Sequence, residues 1–184
     1  MTKRTKKIIL ASTIILVVLG LIFSASQLIN DKKATEVNEE DIDFKALATA
    51  YSMREITDSD ASISSHELII TEPDNQVRTY NLAKEPFFVS FAPYINQTHP
   101  CAIHSLSGCQ GELVNEDFEV LIEDEQGNIV VDQVMTSQAN GFIDVWLPRD
   151  KDYQITVTYN DKVVHSTFST FKEDNTCITT MQLA

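Results

Sequence analysis

Three cysteines and two of the four histidines carry the chemistry open to this chain: Cys101, Cys109, Cys177, His99 and His104. Thiolates are soft ligands, and two or three of them suit Cu(I) in a linear or trigonal site, while imidazole nitrogen suits Cu(I), Cu(II) and Zn(II). His99 stands two residues before Cys101 and His104 three after it, with Pro100 stiffening the backbone between. Cys177 lies 68 positions beyond Cys109. Only a fold that brings a C-terminal strand to the Cys101–Cys109 loop lets the three thiols act together.

Three is an odd number, so one thiol must stay free, bind metal or bond to another molecule. A disulfide from Cys109 to either Cys101 or Cys177, with the third thiol buried, is the competing arrangement, and spacing leaves it open beside metal binding and a purely redox thiol. The pattern is not the C-x-x-C of zinc ribbons or thioredoxins. Met181 shares a strand face with Cys177, but four residues along a strand span about 13 Å, too far for one ion whose ligands sit at about 2.0–2.3 Å. It belongs to the core. His66 and His165 lie outside the cluster and read as strand-surface residues. There is no H-E-x-x-H, no G-x-S-x-G and no phosphate-cradling glycine loop, which removes the common hydrolase readings.

The elements that must position these residues are mostly strands. After Ser65 the hydrophobic period is two, with β-branched and aromatic residues over Glu67–Thr71, Val77–Asn81, Phe87–Ala92, Phe118–Glu123, Ile129–Met135, Phe142–Leu147, Tyr153–Tyr159, Val163–Phe171 and Cys177–Leu183. Turn signals such as Asn140-Gly141 and Asn160-Asp161 separate them. Phe44, Leu47, Ala48 and Tyr51 recur at helical spacing, predicting one short helix over roughly residues 39 to 53. The expected fold is mainly β, an antiparallel β-sandwich with a short N-terminal helical segment, preceded by a signal or membrane anchor. Phe87 to Cys109 starts as a strand and turns into an irregular loop at Pro93, where function concentrates.

Lys3, Arg4, Lys6 and Lys7 precede an apolar run from Ile8 to Ala25, which reads as an export signal or a single anchor with the body outside the cytoplasm. The division is residues 1–28 as signal or anchor, 29–65 as acidic tether and short helix, and 66–184 as the β-rich domain. Without the four basic residues of the start, 27 acids face 10 bases, a formal charge of −17. Nucleic acid is excluded as a partner on that balance.

The run Phe88-Val89-Ser90-Phe91-Ala92-Pro93-Tyr94-Ile95-Asn96-Gln97-Thr98-His99, followed by Cys101, His104-Ser105-Leu106 and Cys109-Gln110-Gly111-Glu112-Leu113, resembles the CueP family of exported copper-binding proteins. Asn140-Gly141-Phe142, Trp146-Leu147-Pro148-Arg149-Asp150, Ile155-Thr156-Val157-Thr158-Tyr159 and Thr176-Cys177-Ile178-Thr179-Thr180 match in order and spacing, so the resemblance covers roughly residues 66 to 184. It implies a periplasmic or cell-surface protein of copper resistance that sequesters or delivers copper, with the family's three cysteines falling on Cys101, Cys109 and Cys177 and its histidines on His99 and His104. Some members are linked to reduction of cupric ion. Copper, as Cu(I) or Cu(II), is the expected metal, with zinc as the alternative. The expected partners are copper ions and a cuproenzyme or copper exporter at the membrane, met through the N-terminal segment if it is uncleaved. A thiol-dependent cupric reductase and a disulfide-stapled structural module are the competing functions.

Overall fold

Alternation of apolar and polar residues builds most of the strands, and an apolar run broken only by Ser90 builds the central one. The computed structural model describes residues 42–184. Within it, residues 43–184 form one compact unit. The signal or membrane anchor expected over residues 1–28 falls outside the described residues. Among the described residues no helix is long and apolar enough to cross a membrane.

Helix α1 (Phe44–Ser52) starts behind Asp43, whose carboxylate accepts from the backbone N–H groups of Lys45 and Ala46 at 3.0 Å each. This satisfies two of the orphan donors of the first turn, which sets the start of the helix. Phe44, Ala48, Tyr51 and Ser52 form its buried face. Eleven strands follow: β1 (Asp60–Ile63), β2 (Glu67–Thr71), β3 (Val77–Asn81), β4 (Phe87–Phe91), β5 (His104–Ser105), β6 (Asp117–Asp124), β7 (Ile129–Thr136), β8 (Ile143–Leu147), β9 (Asp152–Tyr159), β10 (Lys162–Ser169) and β11 (Cys177–Ile178). The fold is mainly β, as expected, with α1 and β1 packed inside the same unit as the later strands.

The strands make three sheets, ordered β3-β2-β1-β5, β10-β9-β6-β7 and β11-β4-β8. Phe87, Val89 and Phe91 of β4 and Ile143, Val145 and Leu147 of β8 pack against Phe118, Val120 and Ile122 of β6 and Tyr153, Ile155 and Val157 of β9. This is the sandwich core, and each fully buried aromatic in it contributes about 1.5–3 kcal/mol. The other face of β4–β8 carries Phe88, Ser90, Asp144 and Trp146, covered by α1 and the β1–β5 edge: Ser52 Oγ donates to Asp144 Oδ2 at 2.7 Å, and the Phe88 ring lies 6.0 Å from that of His104. Every residue of β4 is buried. Covered on both faces, such a strand loses the period-two pattern.

Two strands differ from the sequence reading. The continuous strand expected over Cys177–Leu183 pairs only at Cys177–Ile178, and it runs parallel to β4, against Ser90 and Phe91. The ladder is broken by an extra residue on the C-terminal side: Ala92 N donates to Ile178 O at 3.1 Å but Tyr94 N to Met181 O at 3.0 Å, three residues on rather than two, and pairing resumes as an isolated Tyr94–Gln182 bridge. Val163–Phe171 likewise ends at Ser169. Met181 is fully buried in the sandwich core, as its distance from Cys177 predicted.

Candidate metal centre

Short backbone links bring the three cysteines together from distant parts of the chain. β5 pairs with β1 through Ser62–Ser105 and Ile63–His104, so His104 is set on the edge of the first sheet. Thr176, just before Cys177, joins this edge to the third sheet: its hydroxyl donates to Ile63 O at 2.6 Å and accepts from His104 N at 3.0 Å. The N–H groups of Thr176 and Cys177 both donate to Ala102 O, at 3.0 and 3.1 Å. Ala102 sits between Cys101 and His104, so the thiol loop is tied directly to the start of β11.

Cys109 is set by a tight turn. Its N–H donates to Ser105 O at 2.9 Å, and Gly108 N donates to Ser105 Oγ at 3.0 Å. Two residues on, Gly111 crosses Gly141 so closely that a Cβ on Gly111 would stand 2.3 Å from Gly141 O. The Gly111 N–H bonds to Asn140 O at 2.7 Å across that crossing. Gly141 itself has φ +77°, the left-handed region where a side chain is strained.

Cys101, His104, Cys109 and Cys177 each point one donor atom into a common space, all within 4.8 Å of one another. Cys101 Sγ lies 3.5 Å from Cys109 Sγ, and His104 Nδ1 lies 3.4 Å from Cys177 Sγ. Three ligands at about 2.3 Å from one ion stand about 4.0 Å apart and four about 3.8 Å, so a metal must draw the longest of these separations in by up to about 1 Å. His104 is fully buried, Cys177 is 2% exposed and Cys109 8% exposed, which leaves Cys101 as the solvent-facing donor. A cleft of about 350 Å³, lined by Thr167, Ser169, Asp174 and Thr179, opens beside Cys101 and Cys177.

Cys109 is the thiol of the cluster that gives up its proton most readily. A hydrogen bond from Cys177 and further ones from His104 and His99 hold its thiol far below the ordinary range, against the opposing effect of burial. Cys177 moves the other way because it is the donor to Cys109 and is itself buried. Burial raises Cys101. The arrangement thus favours a thiolate at Cys109 beside thiols at Cys101 and Cys177, a donor set suited to a cation.

The His104 ring lies between Phe142, at 4.6 Å, and Phe88, at 6.0 Å, and its Nε2 has no hydrogen-bond partner. Beyond it, Asp144 accepts from Ser90 Oγ at 2.6 Å and from Ser52 Oγ; burial raises its carboxyl above the usual range despite the nearby His104 and these donors. Neither Asp144 nor its two serines stands out in the sequence, because residues on α1, β4 and β8 meet only through the packing of the sheets. His99 stands outside the four-donor group, with its ring against Phe142 at 6.1 Å. His66 and His165 are elsewhere, bonded to Ser65 at 2.8 Å and to Thr156 at 2.9 Å.

A family model described as periplasmic copper-binding protein CueP matches residues 44–182. A solved structure described as "Crystal Structure of S.CueP" is similar at 35% sequence identity and a TM-score of 0.72, covering 88% of this chain and 98% of its own. No curated protein matches.

Proposed function

The chain belongs to the CueP family of periplasmic copper-binding proteins, and from that premise we propose that it binds one Cu(I) outside the cytoplasm through Cys101, Cys109 and Cys177, to sequester or deliver copper in copper resistance. The observation that carries this reading is the four-donor group, three sulfurs and the His104 nitrogen within 4.8 Å. Three thiolates match the preference of Cu(I) for soft ligands in low coordination. His104 is the auxiliary ligand, and His99, beside the thiolate of Cys109, is a first contact for incoming metal. A cuproenzyme or copper exporter is the recipient or source, reached at the membrane if the apolar segment at residues 8–25 is retained as an anchor.

The donor set of three sulfurs and one nitrogen is also one that zinc accepts, so the metal must be measured. The reduced protein is expected to take up one equivalent of Cu(I) and to hold it against Zn(II) in competition. Each of Cys101→Ser, Cys109→Ser and Cys177→Ser should weaken binding by about tenfold or more, since a hydroxyl is a poor soft-metal ligand. A serine variant that holds Cu(I) like the parent removes that cysteine from the site, and a protein that prefers zinc overturns the reading.

The 3.5 Å separation of Cys101 and Cys109 favours a second reading, reduction of Cu(II). The Cys101 thiol and the Cys109 thiolate would become a disulfide, releasing one proton and passing one electron to each of two Cu(II) ions; an external dithiol would be needed for turnover. Accumulation of Cu(I) with matching loss of free thiol tests it.

A further inference from the structure

From the way the Cys109 loop is held, we propose that Arg54 is a positioning residue of the copper site: its guanidinium fixes the Cys109 end of the thiol loop at ligating distance from Cys101. The inference rests on the copper-site reading and adds a residue to it that touches no metal.

Arg54 lies two residues beyond α1 with φ 62°, a left-handed conformation. A non-glycine residue takes up that conformation only where surrounding contacts hold it. The backbone bonds that close α1 hold it there, Arg54 N donating to Tyr51 O at 3.0 Å and Glu55 N to Ala50 O at 2.9 Å, and its side chain goes to the loop. Its guanidinium donates to Ser107 O, to Cys109 O at 2.9 Å, to Leu106 O at 3.4 Å and to Gln110 Oε1 at 3.3 Å. Three backbone carbonyls from one short loop converge on a single flat cation.

The loop needs such a clamp. Between β5 and β6 it has no strand pairing. Its backbone N–H groups find partners at Ser107 to Ala61 O, Cys109 to Ser105 O and Gly111 to Asn140 O; the carbonyls facing the other way are gathered by Arg54. Ser52, two residues earlier, extends the clamp, because its carbonyl accepts from Asn140 N at 3.1 Å and its Oγ holds Asp144. The end of α1 thereby grips both walls of the site. Without the guanidinium, the three carbonyls turn to water and Cys109 loses its fixed place beside Cys101. Cys177 and His104 keep theirs, since Thr176 and Ala102 hold that half independently. A lysine offers a compact point charge in place of the planar fork and cannot reach all these acceptors together.

The test uses the full chain with Arg54→Met and Arg54→Lys, reading Cu(I) affinity by chelator competition, thermal unfolding, and the alkylation rate of each thiol in the metal-free reduced protein by peptide mass spectrometry. Arg54→Met is expected to weaken Cu(I) binding by about tenfold or more, the usual effect of removing support from behind a ligand, and to raise alkylation of Cys109 relative to Cys177. Arg54→Lys should fall between it and the parent. A folded Arg54→Met variant with parental affinity and a parental alkylation pattern overturns the proposal, as does a rise in reactivity of all three thiols together with lost stability. If Arg54→Met does not fold, Arg54→Lys decides by the same two readouts. A parent that fails to bind Cu(I) ends the copper-site reading, while the alkylation pattern still decides the role of Arg54.

Discussion

Cys177 is paired with Ser90 in the parallel ladder of β11 and β4, and the Ser90 side chain reaches across to Asp144 on β8. A thiol, a hydroxyl and a half-buried carboxylate therefore form a row across one sheet, on the face turned away from the sandwich core. On that same face His104 meets Cys177 from the edge of another sheet. The donors thus come from two sheets and a loop, and their spacing depends on how firmly those parts are joined.

Thr176 is the joint between the two sheets. Thr176→Val keeps the shape but removes the hydroxyl that bonds Ile63 O and His104 N, leaving both backbone groups unpaired in the interior. The expected loss is about 1–3 kcal/mol of stability, read from the denaturant midpoint, together with weaker Cu(I) binding. A variant as stable as the parent would show that the two sheets are held together elsewhere.

Gly111→Ala should be the more damaging change. The added Cβ meets the backbone oxygen of Gly141 at 2.3 Å, and backbone on both sides leaves it nowhere to move. Separation of the two segments is expected to cost about 2 kcal/mol or more and to move Cys109 away from Cys101. Unchanged stability and copper affinity in the alanine variant would refute the crossing as a determinant of the site.

The convergence of the three cysteines was legible only through the family resemblance, since an odd thiol count leaves one thiol free, metal-bound or bonded elsewhere without saying which. Most strand limits followed from period-two alternation. β1 was not legible, since Asp-Ala-Ser-Ile has neither the length nor the β-branched run of a strand and forms only because β2 and β5 flank it. The two-residue β5 is likewise a product of tertiary pairing. The parallel direction of β11 depends on which strand it lies beside, which local pattern does not record. Arg54 follows a helix and looks like any surface arginine until the loop carbonyls are placed around it.

Oxidation should select one thiol pair. Cys101 is the solvent-facing thiol, and Cys109, favoured as thiolate, lies 3.5 Å from it. A thiolate attacks readily once its partner is oxidised, and only a modest approach separates this distance from a bond of about 2.0 Å. Mild oxidation of the copper-free protein is expected to link Cys101 to Cys109 and leave Cys177 free, as seen by peptide mapping. A Cys109–Cys177 bond as the main product would contradict this.

Glu112 offers a pH test of the chain that leads into the thiol loop. Its carboxylate accepts from the N–H groups of Ile95, Asn96 and Gln97 and from the Asn96 side chain, which holds its pKa down at about 2. Because the folded value is depressed, this stabilisation is present in full above the unfolded carboxylate range near about 4.3 and is lost as the pH falls through that range toward the folded value. Unfolding measured between these limits should show a falling midpoint that Glu112→Gln flattens. An equal slope in the variant would assign the acid sensitivity to other carboxylates.

Copper binding should itself depend on pH, in a direction set by how the proton is shared among the thiols. Cys101 and Cys177 are both raised above the ordinary thiol range, so at neutral pH each carries a proton that a metal must displace. Cys109, lowered by the hydrogen bond from Cys177 and by the histidines, has already lost its own. Cu(I) bound by all three as thiolates therefore releases two protons, and apparent affinity should rise by about a hundredfold for each pH unit while both remain protonated. Competition titrations across the neutral range, with the chelator's own proton dependence subtracted, measure that slope. Loss of Cys101 in a Cys101→Ser variant should reduce it to about tenfold per unit, because only Cys177 then gives up a proton. A parent whose affinity does not change with pH would mean that Cys101 and Cys177 do not both bind as thiolates, and the three-thiolate site would have to be abandoned.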